Sequence, residues 1–121
     1  MDKVFKPGPN NVFVFGSNLA GIHGAGAAKT ALTKYGADWG VGLGQRGNSY
    51  AIPTKDRDLH TLPLRDIKFQ VRVFLTWARN HPNTEFFVTR IGCGLAGYTD
   101  EQISPMFAEA PSNCDLPMGW R

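Results

Sequence analysis

The chain has 121 residues, a length that suits one domain and leaves little room for a second. Apolar residues make up 42% of it, which is enough to fill one core and excludes wholesale disorder. The net charge of +3 favours an anionic partner only weakly. Neither a signal-peptide core nor an apolar run near the ~20 residues of a membrane span occurs, so we expect a cytoplasmic protein without membrane contact.

Predicted strands and helices alternate along the chain. Short β-branched or aromatic runs predict strands at residues 12–15, 49–53 and 85–89. Apolar spacing and end signals predict helices at residues 26–35, 64–80 and 99–110. The first of these ends before Gly36, and the last begins with a capping box from Thr99 to Gln102. The alternation predicts an α/β protein with a mainly parallel sheet.

Two glycine-rich loops, at residues 16–26 and 92–97, each connect a predicted strand to a predicted helix. In an open α/β sheet such loops lie at the carboxyl ends of the strands, where ligands bind. Each leads to a helix N-terminus, whose free N–H groups favour phosphate. The alternative is that the glycines only permit tight turns. Residues 42–47 fit GxGxxG by letter but precede a strand, so they are set aside.

Three segments resemble motifs of macro domains: NLAGIHGAGAA at 18–28, AIPTK at 51–55 and RIGCGLAG at 90–97. The last two look more specifically like one branch, which contains terminal ADP-ribose glycohydrolases and antitoxins that remove ADP-ribose from DNA. The resemblance implies a single macro-like domain over residues 1–121, with a three-layer α/β/α fold that is minimal and N-terminally shortened. The implied partner is ADP-ribose or an ADP-ribosylated macromolecule.

The same resemblance implies roles for individual residues. Asn18 would contact the distal ribose, and Lys55 matches a lysine that attacks the anomeric carbon of ADP-ribose in this branch. Such an amine must be neutral when it attacks, which burial or a neighbouring cation can arrange. No metal or other cofactor is expected. The ligand-binding residues implied by the two loops are Ser17, Asn18, His23, Gly24, Ala25, Gly26, Ala27, Gly92, Cys93, Gly94, Leu95, Ala96, Gly97 and Tyr98.

Three of these side chains need a further comment, and two of them, Tyr98 and Cys93, have a second interpretation. His23 could donate to a phosphate or ribose, although it has no metal-ligand spacing. Tyr98 could flank a ribose or fill the core. Cys93 could be a reactive thiol at a helix N-terminus or a small packed one, and its spacing to Cys114 is typical of neither a metal nor a redox site.

Two features depart from the family pattern. Ala96 stands where the related hydrolases carry an aspartate that works with the lysine, and alanine cannot transfer a proton. Asp100 follows nearby, either as a substitute or as a helix-dipole partner. Only eleven residues precede the first predicted strand, so the earlier strand and the acid that reads adenine have no clear counterpart, Asp2 being a poor candidate.

Three functions stay open. The first is a module that binds ADP-ribose or a related nucleotide. The second is an ADP-ribosyl glycohydrolase acting through Lys55, and the third, weaker one is a nucleic-acid-binding protein suggested by charge alone. The basic stretch at residues 55–72 is interrupted by Asp56, Asp58 and Asp66 and is interpreted as solvated surface. A short chain of this type would fit a phage or mobile-element accessory protein.

Overall fold

A computed structural model describes residues 4–121, so Asp2 lies outside the described residues. The strands are β1 (Asn11–Asn18), β2 (Gly44–Arg46), β3 (Ser49–Lys55), β4 (Glu85–Val88) and β5 (Cys114–Asp115). The helices are α1 (Gly26–Lys34), α2 (Leu64–Arg79) and α3 (Asp100–Ile103), the last continued by a 3₁₀ turn at Ser104–Phe107. Within residues 4–121, none of the helices has the length and apolar character that crossing a bilayer requires.

The five strands form one mixed sheet in the order β2-β3-β1-β4-β5. β1 pairs in parallel with β3 and β4, and β4 with β5, whereas β2 and β3 form an antiparallel pair. The prediction of an α/β protein with a mainly parallel sheet is confirmed. Strands β2 and β5 were not predicted, because they are three and two residues long and give no periodic signal.

Side chains of β1 alternate between two apolar cores, one on each face of the sheet. Val12 and Val14 belong to the larger core, which α2 and the 3₁₀ turn cover. Phe13 and Phe15 belong to the smaller core, which includes Ala31 of α1. Because β1 is central and covered on both faces, it reads as a continuous apolar run in the sequence. The same burial fixes its register, and with it the position of the residues that follow.

The last helix is shorter than the predicted span of residues 99–110. The Thr99 N–H donates to Gln102 Oε1 at 3.0 Å, as the predicted capping box requires. The α-helix nevertheless ends at Ile103 and continues as a 3₁₀ turn to Phe107. Pro105 explains the change, because proline has no N–H for an i→i−4 hydrogen bond.

Candidate functional site

A cavity of about 430 Å³ opens at the carboxyl ends of β1, β3 and β4. This is the edge at which ligands bind in open α/β sheets. Both glycine-rich loops contribute to its wall. The lining residues are Gly16, Ser17, Asn18, Ile22, Gly24, Ala25, Gly26, Ala27, Ala28, Thr54, Lys55, Leu59, Thr89, Arg90, Ile91, Gly92, Gly94, Leu95 and Ala96.

The first loop is closed by the side chain of Asn18. Asn18 Nδ2 donates to the Ile22 carbonyl at 2.8 Å, and the Ile22 N–H donates to Asn18 Oδ1 at 3.0 Å. Asn18, the residue expected to contact the ribose, therefore also determines the conformation of the loop. One N–H of the amide and a lone pair of Oδ1 stay available for a bound molecule. Strand β1 extends to Asn18, so the loop begins later than the sequence predicts.

Residues 38–42 form a platform under this loop. The buried Ser17 hydroxyl donates to the Gly42 carbonyl at 2.5 Å, and the Gly40 N–H donates to the Gly21 carbonyl at 2.9 Å. The contact is so close that a Cβ at Gly42 would lie 1.9 Å from the Asn18 carbonyl oxygen. The platform therefore determines the position of the first loop at the cavity wall.

The N-terminus of α1 opens directly into the cavity. Ala25, its N-cap residue, supplies no side-chain hydrogen bond, and the first turn contains no acidic residue. Gly26 has φ +58, which favours glycine at this position. The first N–H groups of a helix have no partner within it, and the dipole adds partial positive charge. The terminus is thus an uncapped anion site that faces the cavity.

The second loop turns tightly around Gly92, which has φ +77 and lies against Ile103. The Tyr98 N–H donates to the Gly92 carbonyl at 2.9 Å and closes the turn. Within the described part of the chain, the N–H groups of Leu95 and Ala96 donate to no protein acceptor. Both residues line the cavity, so their amides add to the backbone donors of its wall.

Lys55 and Arg90 supply the charge of the cavity. Lys55 ends β3 beside Asn18, which is its register partner on β1. Arg90 is held in place, because Nη1 lies 3.0 Å from Asp100 Oδ1 and Nη2 donates to the Met118 carbonyl at 3.0 Å. No carboxylate lines the cavity among residues 4–121. Charge and backbone donors alike therefore favour an anion.

The structure brings most of the predicted site residues to this one cavity. Those that line it are Lys55, Ser17, Asn18, Gly24, Ala25, Gly26, Ala27, Gly92, Gly94, Leu95 and Ala96. Four predicted residues lie outside its lining: His23, Cys93, Gly97 and Tyr98.

His23 is buried in the protein interior, with 1% of its surface exposed. Its Nε2 lies 3.0 Å from the carbonyl oxygens of both Asp38 and Val41. Carbonyl oxygens only accept, so Nε2 carries the proton and joins the loop to the platform. The donor that we expected to reach a phosphate is used by the platform instead.

Tyr98 and Cys93 take the packed alternatives of their two interpretations. The Tyr98 hydroxyl donates to the Leu62 carbonyl at 2.6 Å, and the ring packs against the larger core. Burial and the neighbouring Asp100 carboxylate raise the pKa of the Cys93 thiol to about 11. The thiol is therefore protonated at neutral pH, when a reactive cysteine would be a thiolate.

Asp100 has a structural role and does not line the cavity. The Trp120 indole N–H donates to its Oδ1 at 3.0 Å, the atom that also pairs with Arg90. These hydrogen bonds, that from Trp120 first, lower the pKa of Asp100 below its usual 3.8. Asp100, for which the sequence left a substitute acid or a helix-dipole partner open, is thus an ionised anchor for Arg90.

Acidification should release this anchor. A carboxyl whose folded-state pKa is lowered stabilises the fold above its unfolded pKa and loses that contribution as pH falls through the folded value. We expect the melting temperature of the wild type to decrease once the pH is lowered past about 4. At pH 7 Asp100→Asn should melt at a lower temperature than the wild type, and its melting temperature should depend less on pH in the acidic range. Differential scanning fluorimetry from neutral to acidic pH measures both. Equal acid sensitivity in the two proteins would contradict the assignment.

Sequence reasoning missed several lining residues. Thr54 follows the strand predicted at residues 49–53, and Thr89 is the last residue of the one predicted at 85–89. Their hydroxyls donate to carbonyls of β1, at Ser17 (3.2 Å) and Val14 (2.7 Å). Their place at strand ends was the available signal. Leu59 has φ +66 in a loop whose contribution to the cavity had no sequence signal.

Backbone donors from both loops and two cationic side chains, of which Arg90 is paired with Asp100, line a cavity that favours an anion and has no lining carboxylate among residues 4–121. Comparisons with protein-family models, with curated proteins and with solved structures find no match for this chain. The chemistry of the cavity is therefore the basis for assigning a function.

Proposed function

We propose that this protein binds ADP-ribose or a closely related nucleotide in the cavity between the two glycine-rich loops. The observation that carries the proposal is that the uncapped N-terminus of α1 and the loop residues Leu95 and Ala96 line one cavity, whose charged side chains are Lys55 and Arg90. A diphosphate placed there would accept hydrogen bonds from both loops. The cavity volume of about 430 Å³ lies within the range of small-ligand sites.

A second cavity, of about 160 Å³, suggests how the nucleotide is oriented in the site. It shares Thr89 and Arg90 with the first, so the two adjoin at the end of β4. Its other lining residues are Phe87, Val88, Asp115, Leu116 and Pro117, so the walls are apolar apart from one carboxylate. Apolar walls of this kind suit the face of a planar base. In our proposal the diphosphate lies between the loops, a sugar lies near Asn18 and Lys55, and the nucleobase enters the second cavity.

The fold proposal follows the same lines. The strand order, the central β1 and the two strand-to-helix loops at the carboxyl edge of the sheet support a minimal macro-type domain. The two cores on opposite faces of the sheet support three α/β/α layers. We propose this family relationship from architecture and the loop motifs together.

Isothermal titration calorimetry with ADP-ribose, AMP and NAD tests the binding proposal. We expect ADP-ribose to bind tightest. Asn18→Ala removes the two hydrogen bonds that close the first loop, so its affinity should fall by roughly 10- to 100-fold. Thr33→Ala on the outer surface of α1 is the control and should bind like the wild type. If no nucleotide binds the wild type tighter than about 1 mM, the proposal is wrong.

Hydrolysis of an ADP-ribosyl bond is the second candidate function, and the position of Lys55 beside Asn18 favours it. A neutral Lys55 amine could attack the anomeric carbon while the leaving group departs with a proton. That proton has no side-chain acid among the described lining residues. Binding without turnover is therefore the function that the cavity supports best.

A release assay separates the two functions. ADP-ribosylated protein or DNA is incubated with the wild type, Lys55→Ala and Lys55→Arg, and free ADP-ribose is measured. We expect no enzyme-dependent release from any of them, with binding retained by Lys55→Arg. Release that both substitutions abolish would overturn the pure-binding proposal, because arginine keeps the charge but is not a nucleophile at neutral pH.

A further inference from the structure

Helix α2 carries a row of cations on one flank of its exposed surface. At 100° per residue, the four fall within about one sixth of the helix circumference. Arg65 lies 3.7 Å from Asp66 through its Nε, and Arg79 donates to the Glu109 carbonyl at 2.8 Å. Lys68 and Arg72 have no ion pair in the part of the chain that the structure describes. The four residues, here called the basic row, are Arg65, Lys68, Arg72 and Arg79.

An apolar row runs beside the basic row. Its members recur every four residues, and their exposed fractions are 61% for Phe69, 40% for Val73 and 37% for Trp77. The buried face of α2 is on the other side and already supplies the core. Phe69 and Val73 therefore lie off the face of α2 that packs against the sheet, whereas the Trp77 ring lies near Tyr50 of β3, with ring centroids 6.1 Å apart. Trp77 is fixed at its end, because its indole N–H donates to Gln45 Oε1 at 3.0 Å.

The aspartates that interrupt the basic stretch in sequence do not interrupt the basic row in space. Asp56 and Asp58 precede α2, and Asp56 Oδ1 accepts the N–H groups of Asp58 and His60, both at 2.9 Å. Asp66 lies one residue after Arg65, which turns it toward the apolar side of the helix. Lys68 and Arg72, about 6 Å apart along the axis, therefore form an uncompensated positive patch.

We propose that this face of α2 binds single-stranded nucleic acid, with phosphates on Lys68 and Arg72 and bases stacked on Phe69. Charge complementarity selects a polyanion, and exposed aromatic rings beside cations supply stacking for unpaired bases. In a duplex the base faces are covered, so Phe69 would gain nothing from it. An acidic peptide would use the cations but not require an aromatic ring. The inference does not depend on the ADP-ribose cavity.

Fluorescence anisotropy with a labelled oligothymidylate of about 12 nucleotides tests this surface. We expect a dissociation constant between about 1 and 100 µM at low salt. The log–log salt slope should be about −2, for phosphates on Lys68, Arg72 and one other cation of the basic row. Lys68→Glu/Arg72→Glu should weaken binding at least tenfold and remove about 1.4 of that slope. Phe69→Ala and Phe69→Leu should each weaken it roughly tenfold, because leucine keeps the apolar surface but cannot stack.

Matched controls separate this patch from the overall charge. Lys29→Glu/Lys34→Glu on α1 lowers the net charge equally and should change affinity by no more than about twofold. Thermal melting checks that every variant folds. Equal weakening by both double variants, a wild-type affinity for Phe69→Leu, or no binding at low salt would each overturn the proposal. So would displacement by polyglutamate as efficient as by DNA, which indicates an acidic protein, or a Phe69-dependent dimer, which indicates a second copy.

Discussion

Gly42→Ala should destabilise the protein, because the added methyl group would clash with the backbone of the first ligand loop. The added Cβ would lie 1.9 Å from the Asn18 carbonyl oxygen and 3.2 Å from the Leu19 Cα, both backbone atoms that no rotamer change can move away. We expect a loss of about 3 kcal/mol or more in the free energy of unfolding. In a chain of 121 residues this lowers the melting temperature by roughly 10 °C. Chemical denaturation and scanning calorimetry measure the two quantities.

The same substitution at Gly24 is the matched control. A Cβ there has no atom within 4 Å, and the residue lies in the same loop system. Gly24→Ala should therefore melt like the wild type, while its methyl group faces the cavity that Gly24 lines. Gly42→Ala should lose stability and ligand together, whereas Gly24→Ala should alter ligand affinity alone. A wild-type melting temperature for Gly42→Ala would mean that the platform is not packed as described.

The sequence predicted the parts of the site that depend on local rules. Strands β1, β3 and β4 contain strong apolar or β-branched runs, and glycine, proline or polar residues follow each run. Parallel pairing then brings their carboxyl ends to one edge, so Asn18 and Lys55 become neighbours although 37 positions separate them. Long periodic segments and strand-end positions are the features that a single sequence specifies best.

Long-range packing determined the parts that the sequence did not predict. His23 looked like a ligand donor because it lies in the loop, but its partners, Asp38 and Val41, come from a segment with no periodic pattern. Gly42 begins the run that fits GxGxxG by letter, but its role is to let a second backbone approach Asn18. Contacts between irregular segments have no local signal, and they decide which loop side chains face the ligand.

Ala27→Asp should raise the stability of the fold and lower its affinity for ADP-ribose. Ala27 lies in the first turn of α1, which contains no acidic residue, and it lines the cavity. A carboxylate there interacts favourably with the helix dipole, so stability should rise by about 0.3–1 kcal/mol. The same charge about 5 Å from a bound phosphate costs about 3 kcal/mol at an effective dielectric constant near 20. ADP-ribose affinity should therefore fall by roughly 100-fold or more.

Ala27→Asn separates charge from volume, because asparagine has nearly the same shape as aspartate. We expect a much smaller loss of affinity for it, and little change in melting temperature. Titration in low and high salt adds a second check, since the penalty in Ala27→Asp should shrink as salt screens the repulsion. Equal losses for the two variants would indicate a steric effect and remove the evidence for an anion at this terminus. A rise in stability together with the loss of binding is the combination that a phosphate site on an uncapped helix requires.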